Sequence, residues 1–135
     1  MIERLAVATR GKGLYDITPQ VSELVARSGL EQGLCTLMIQ HTSASLTIQE
    51  NYDPSARHDL EGWLERLVAE DDPHFTHKAE GPDDMPSHVK AALTSTSLSI
   101  PIVEGRLALG TWQGIFLWEH RTAARTRSLV LHLGP

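Results

Sequence analysis

Apolar residues recur along the chain in short runs that predict strands more often than helices. Residues 2–9 alternate between apolar and polar positions, and residues 128–133 carry leucine at every second position. The run from Gly33 to His41 is mostly apolar on both sides, which is typical of a central strand. Other strand-like runs are residues 14–17, HTSASLTIQEN at 41–51, the two halves of SLSIPIVEGRLAL at 97–109 around a tight turn, and GTWQGIFLWEHR at 110–121.

Helix signals occur at three places. The Thr-Pro pair at 18–19 supplies a cap and a first-turn proline, and Gly29 ends that helix. The Asp-Pro pair at 53–54 opens the longest helix, which runs to about Val68. Its predicted apolar stripe is Ala56, Leu60, Trp63, Leu64 and Leu67. A third helix opens at Pro86, and its predicted inward face is Met85, His88, Val89 and Ala92.

These elements amount to about three helices and seven or more strands in mixed order, joined by hairpins. Regular strand-helix alternation is absent, so we expect an α+β domain built on antiparallel sheet. No repeat, low-complexity segment or linker divides the sequence. Residues 1–135 are therefore predicted to form a single domain.

Composition and charge narrow the class of protein. The chain has 135 residues, 41% of them hydrophobic, and a formal net charge of −5, which argues against a broad nucleic-acid surface. A local basic cluster of Arg121, Arg125 and Arg127 has the charge to hold one phosphate or carboxylate. No apolar run approaches the length of a membrane span and residues 1–10 do not form a leader-like segment, so we expect no membrane partner and a cytoplasmic location. The single Cys35 lies in an apolar run, where a buried, inert thiol is expected.

The stretch from Phe75 to Leu93 concentrates histidines and acids without a clear apolar period. His77 lies in an irregular acidic run, whereas His88 lies on the predicted third helix. Two neutral imidazoles with nearby acids to orient them have the character of metal ligands. The alternative is that His88 bonds a core carbonyl and His77 is solvated, and the spacing alone gives both interpretations about equal weight. The segment from His41 to Asn51 is likewise either a polar site or a strand edge rich in serine and threonine.

Three strings together resemble the YjbQ family, which carries the label secondary thiamine-phosphate synthase: HTSASLTIQEN, EGPDDMPSH, and GRLALGTWQGIFLWEHR. The resemblance implies a sandwich-like antiparallel α+β fold, a homotrimer, and a polar pocket near the subunit boundary. It implies His41, His77 and His88 as ligands of a divalent metal ion, whether zinc, manganese, iron or magnesium. An open fourth position would make such a site catalytic in type. The other pocket residues that it implies are Thr42, Ser43, Trp112, Gln113, Glu119 and Arg121.

Three functions stay open from the sequence. The first is a weak or secondary thiamine-phosphate synthase activity, in which Arg121 or Lys90 neutralises a departing diphosphate, Trp112 faces a pyrimidine cation, and Ser43 and Gln113 orient the rings. The second is a metal-dependent hydrolase of a small phosphorylated metabolite, with Glu119 as general base. The third is a trimer that binds a metabolite or metal without catalysis.

Overall fold

The computed structural model describes every residue from Met1 to Pro135 and contains eight strands and three helices. The strands are β1 (Ile2–Thr9), β2 (Gly13–Asp16), β3 (Gln32–Ile39), β4 (Ala44–Glu50), β5 (Ser97–Val103), β6 (Arg106–Leu107), β7 (Gln113–Glu119) and β8 (Arg125–Gly134). The helices are α1 (Thr18–Ser28), α2 (Pro54–Leu67) and α3 (Asp84–Leu93). The fold is therefore α+β, as the sequence predicts.

The strands form two antiparallel sheets. One sheet has five strands in the order β1-β8-β3-β5-β6, and the other has three in the order β2-β7-β4. A cluster of 17 buried apolar residues draws on both sheets and on α1. A smaller cluster packs α2 against the three-stranded sheet through Leu64, Phe116 and Trp118. Strand β7 is buried on both faces from Gly114 onward, so its carboxyl end carries polar side chains into the interior.

Strand alternation was the most reliable signal in the sequence. In β8, Leu129, Leu131 and Leu133 are buried as predicted, because side chains at every second position share one face of a sheet. Cys35 is fully buried in β3, and burial raises the pKa of its thiol to about 11. The tight turn between β5 and β6 is also confirmed, since Glu104 and Gly105 both adopt positive φ, as such two-residue hairpins require.

The predicted helix faces were less accurate. Of the stripe predicted for α2, Leu64 is buried and Ala56 and Leu60 are half-buried. Trp63 and Leu67 are exposed, because the helix packs along Leu60, Leu64 and the following Val68. Helix α1 ends at Gly29 as predicted, but Thr18 is its first residue and not its cap, because its hydroxyl accepts the N–H of Ile115. None of the three helices is long and apolar enough to cross a membrane.

Helix α3 differs most from the prediction. It begins at Asp84, two residues before Pro86, and the proline occupies the first turn, where no intrahelical N–H bond is lost. Its buried positions are Asp84, Pro86, Ser87, Lys90 and Ala91, while Ala92 and Leu93 are exposed. The helix thus turns a polar face inward, and His88 lies half-buried at the border of that face.

Candidate functional site

Two histidines converge on one carboxylate at the start of α3. Asp84 and His88 are four residues apart, so one turn of helix brings them to the same side, and the preceding loop returns His77 to them. The Nε2 atoms of His77 and His88 lie 2.9 and 3.1 Å from Oδ2 of Asp84. These three ligand atoms all lie within 4.8 Å of one another, which makes the group the candidate metal centre.

Arg121 holds Asp84 in place through the carboxylate oxygen that does not face the histidines. The residue is 1% exposed, and Nη1 of Arg121 donates to its Oδ1 at 2.6 Å. Burial acts to raise the pKa of Asp84, but electrostatic interaction with His88 and Arg121 and the hydrogen bonds of the two imidazoles outweigh it and lower the pKa overall. The carboxylate is therefore ionised at neutral pH, and Oδ2 is the oxygen left to face the histidines.

The ring of His88 has a defined proton arrangement. Its Nδ1 lies 2.8 Å from the carbonyl oxygen of Thr42, which can only accept, so Nδ1 must carry a proton. In the neutral ring, Nε2 then presents a lone pair to Oδ2 of Asp84. Two acceptors at this distance repel each other unless a cation lies between them, so the pair of atoms is placed to bind one.

Arg121 is fully engaged in supporting this segment. Besides Asp84, its Nε donates to Oδ2 of Asp83 at 3.0 Å and its Nη2 donates to the carbonyl of Glu80 at 2.9 Å. The backbone N–H of Thr122 adds a second bond to Asp83. Burial opposes the effect, but these donors hold the pKa of Asp83 at about 2. Arg121 therefore orients the acidic loop. Because its guanidinium already donates to Asp83, Asp84 and Glu80, it is not available to bind a substrate phosphate.

Glu119 anchors a second, neighbouring network. It is 1% exposed, and it accepts from Oγ1 of Thr9 at 2.7 Å, from the N–H of Arg121 at 3.1 Å, and from both Nε and Nη2 of Arg127. Burial tends to raise the pKa of Glu119, but Arg127 and Thr9 lower it overall. Arg127 also donates to Oγ of Ser43 at 2.9 Å. A carboxylate saturated in this way is poorly suited to act as a general base.

His41 belongs to this second network and not to the metal group. Its Nε2 accepts the backbone N–H of Ser128 at 2.8 Å, and its Nδ1 lies 3.2 Å from Nη1 of Arg127. Burial, followed by the charge of Arg127, lowers the pKa of His41. Its Nε2 is thus engaged with the backbone within this chain, and the side chains that the structure brings together are His77, Asp84 and His88. The role of His41 as a metal ligand stays a prediction.

Trp112 and Gln113 lie at the other end of β7. The strand holds seven residues from Gln113 to Glu119, and about 3.3 Å per residue separates its two ends by about 20 Å. Trp112 packs against Tyr52 with the ring centroids 4.8 Å apart and the ring planes tilted by 60°, and Oε1 of Gln113 accepts the N–H of Gly110. Within one chain, neither residue joins the histidines or the two buried networks.

Two clefts flank the metal group. One, of about 410 Å³, includes Glu70, Asp71, Asp72, Phe75 and His77 in its lining. The other, of about 460 Å³, lies beside His88 and is also lined by His41 and Thr42. The group is thus open to small molecules from both sides, and its own atoms are only partly exposed.

Sequence reasoning noted Asp84 only as one of several nearby acids. The signal that identifies it is the Asp-x-x-x-His spacing, which places both side chains on one helix face once the helix begins at Asp84. The sequence also gives no reason to single out His120. It is 1% exposed, and its Nε2 lies 2.9 Å from Oγ of Ser45. Nothing in the alternation of β7 distinguishes a buried histidine of this kind from a solvated one.

Fold and site together define a small α+β protein of two antiparallel sheets with a two-histidine, one-carboxylate group at a helix start. The chain belongs to the family described as UPF0047 protein YjbQ-like, whose sequence model matches residues 3–134. It is 50% identical over 131 residues to UPF0047 protein sll1880 of Synechocystis, covering 97% of this chain and 89% of that protein. It is 42% identical over 130 residues to UPF0047 protein YjbQ of Escherichia coli O157:H7, covering 96% and 94%.

Solved structures show the same fold. The conserved hypothetical protein TT1486 of Thermus thermophilus superimposes with a TM-score of 0.87 at 36% identity, covering 98% of this chain and 99% of that one. A protein of the yjbq/upf0047 family from Clostridium acetobutylicum gives a TM-score of 0.84 at 31% identity, with 99% of both chains covered. These names give a family and a fold, and the reaction must be argued from the site.

Proposed function

We propose that this protein binds a divalent transition-metal ion at His77, Asp84 and His88 and uses it to transform a small phosphorylated metabolite. The observation that carries the proposal is the convergence of their three ligand atoms within 4.8 Å. The separations of 2.9 and 3.1 Å from Asp84 Oδ2 support it further. Adjacent ligands of a six-coordinate ion lie about 3.0 Å apart when each bond is about 2.1 Å long.

The surroundings of the ligands support metal binding as well. The Thr42 carbonyl fixes the proton of His88 on Nδ1, which leaves Nε2 free to bind, and Arg121 fixes the orientation of Asp84. Two imidazoles and one carboxylate favour zinc, manganese or iron(II) over magnesium. A divalent ion held by three such residues would act as a Lewis acid toward a substrate oxygen.

The first candidate reaction is a condensation of thiamine-phosphate synthase type, weak or secondary, which the family resemblance implies. The cleft beside His77 supports it, because three carboxylates and the ring of Phe75 would stabilise a developing pyrimidine cation. Loss of diphosphate also needs no general base, which is consistent with the saturated Glu119. Against it, Arg121 pairs with the buried Asp84, and the buried Lys90 pairs with the partly exposed Glu65, so neither is free to neutralise diphosphate.

Hydrolysis of a small phosphate ester is the second candidate. Two histidines and a carboxylate with open positions are the type of donor set that hydrolytic metal sites use. Three acids, Glu70, Asp71 and Asp72, line the cleft next to His77. Asp72 already bonds His74 through Oδ1, so in this reaction Asp71 is the carboxylate of the cleft left to accept a proton from water.

One assay separates these candidates. The parent protein, loaded in turn with zinc, manganese, iron(II) or magnesium, is tested for thiamine phosphate formation and for phosphate release from a panel of small monoesters. The His88→Ala variant should lose turnover by about 100-fold or more, since a direct ligand is removed. The matched control is His58→Ala, an exposed histidine on α2. Metal binding without turnover on any substrate would identify a binding protein and overturn the enzymatic part of the proposal.

The homotrimer is also proposed, with support from the outer face of the five-stranded sheet. Leu34 and Met38 of β3 point away from the core and are 41% and 53% exposed, and Ile2 of β1 is 58% exposed. Val130 lies opposite Met38 in the sheet and extends this apolar strip. Native mass spectrometry of the parent and of Met38→Lys tests it. A parent trimer that dissociates in the variant supports this face as the interface, and a monomeric parent contradicts the proposal.

A further inference from the structure

A third cleft, of about 420 Å³, is lined by residues from the end of β1, from β2, from α1 and from α2. It shares no lining residue with the two clefts that flank the histidines. Val7, Leu14 and Ile17 give it a buried apolar wall, and Arg10 and Arg57 give it charge. Its volume lies within the range of about 300–1,000 Å³ that is usual for sites of small molecules.

The surroundings of Arg57 suit it to bind an anion. Its guanidinium lies over the ring of Phe116, with Cζ 4.9 Å from the ring centroid, and that ring is fully buried. This cation–π contact stabilises the guanidinium charge beside the cleft without a carboxylate partner. No carboxylate pairs with Arg57, and its Nε is enclosed without any partner. An enclosed donor of this kind calls for a bound water or ion.

Arg10 lines the same cleft on a fixed segment of backbone. Its N–H donates to the hydroxyl of Tyr15 at 2.9 Å, and that hydroxyl donates to the carbonyl of Gly11 at 2.8 Å. The Arg10 side chain forms no ion pair within the chain. One acid, Asp16, lines the cleft, where its Oδ1 accepts the N–H of Thr18 and makes no ion pair with either arginine. The lining thus carries two positive charges against one negative charge.

We propose that this cleft binds a small organic oxyanion, either a carboxylate or a phosphate monoester, between Arg10 and Arg57. The planar edge of Arg57 suits two oxygens of one carboxylate or phosphate group. The apolar wall of Val7, Leu14 and Ile17 accommodates a short hydrocarbon portion of the ligand. This site is separate from the proposed metal centre and does not depend on it.

The test is titration of the full-length protein with butyrate, n-butyl phosphate and n-butylamine. Binding is measured by calorimetry and by the NMR shifts of the backbone amides. The two anions should bind saturably and shift the amides of Ala8 and Ile17, whereas the amine should not bind. The tighter of the two anions identifies the ligand as a carboxylate or a phosphate ester. Absence of saturable binding by both anions, or equal binding of the amine, overturns the proposal.

Variants give the second readout. Arg57→Gln should weaken the anion by at least about tenfold, the loss expected for removing charge-assisted hydrogen bonds, and Arg10→Gln by a smaller factor. Arg57→Lys should retain part of the affinity, because it keeps the charge but loses the planar edge. The control is Arg66→Gln, an exposed arginine on the same helix, which should bind as the parent does.

Equal affinity in all four variants would overturn the proposal. If Arg57→Gln fails to fold, the affinity of Arg57→Lys and the map of amide shifts in the parent still test the proposal. Shifts confined to the β1–β2–α1 cleft support it, and shifts elsewhere overturn it.

Discussion

The buried ring of His120 makes the free energy of unfolding depend on pH. The ring is 1% exposed at the end of β7, 5.7 Å from the ring of Trp118. Burial, followed by the charges of Lys90 and Arg127, lowers its pKa from 6.5 to about 3. In the unfolded chain the same imidazole would take up a proton near its ordinary pKa of about 6.5.

The sign follows from proton uptake. Between pH 6.5 and 3 the unfolded chain binds a proton at His120 that the folded chain does not, so the free energy of unfolding falls as the pH falls. The slope is about 1.4 kcal/mol per pH unit, which amounts to ~2 kcal/mol between pH 8 and pH 5. Asp83, with its pKa held at about 2, loses its stabilising effect only below about pH 4. The range from pH 8 to pH 5 therefore isolates the histidines.

The assay is urea unfolding of the metal-free parent and of His120→Gln at pH 8, 7, 6 and 5. Glutamine keeps a donor and an acceptor for Ser45 but cannot take up a proton. The free energy of unfolding of the parent should decline by ~2 kcal/mol more than that of the variant over this range. The control is His58→Gln, an exposed histidine, which should follow the parent. Parallel curves for the parent and His120→Gln would refute the reasoning.

Two further outcomes follow from the buried groups. Glu119→Gln leaves Arg127 buried without its charge partner and should lower the free energy of unfolding by about 3–5 kcal/mol in chemical denaturation, whereas Glu70→Gln in the exposed pair with Lys12 should cost less than about 1 kcal/mol. Equal losses in the two variants would show that burial does not govern these pairs. The Cys35 thiol, fully buried and with its pKa raised to about 11, should react with a thiol reagent at neutral pH only as fast as the protein unfolds, so rapid labelling of the native protein would contradict its placement.

The sequence predicts best where one physical cause acts alone. Leu129, Leu131 and Leu133 are buried because a strand alternates its faces, and Gly29 ends α1 because it adopts the left-handed conformation that few other residues tolerate. Both signals are local. They therefore hold regardless of the contacts made by distant residues.

The inward face of α3 shows why other features of the fold cannot be predicted from the sequence. Apolar spacing favours Met85 and Val89, but the helix buries Asp84 and Lys90, whose partners Arg121 and Glu65 come from distant parts of the chain. Buried charge is stable only with such partners, and a helical period contains no information about them.

The same limit explains why the group of side chains that the fold brings together differs from the three histidines that the resemblance implies. The resemblance grouped three histidines by residue type, whereas the fold engages His41 with Arg127 and the backbone of Ser128. Asp84 occupies the position next to His77 and His88 instead.

The most direct test of the metal centre is elemental analysis of purified parent, His88→Ala, Asp84→Asn and His58→Ala after equilibration with zinc, manganese or iron(II). Circular dichroism and native mass spectrometry on the same samples establish that each variant keeps its fold and assembly. We expect near-stoichiometric metal in the parent and in His58→Ala, and its loss from His88→Ala and Asp84→Asn. A parent that retains no ion, or folded His88→Ala and Asp84→Asn variants that retain as much metal as the parent, would contradict the metal centre formed by His77, Asp84 and His88.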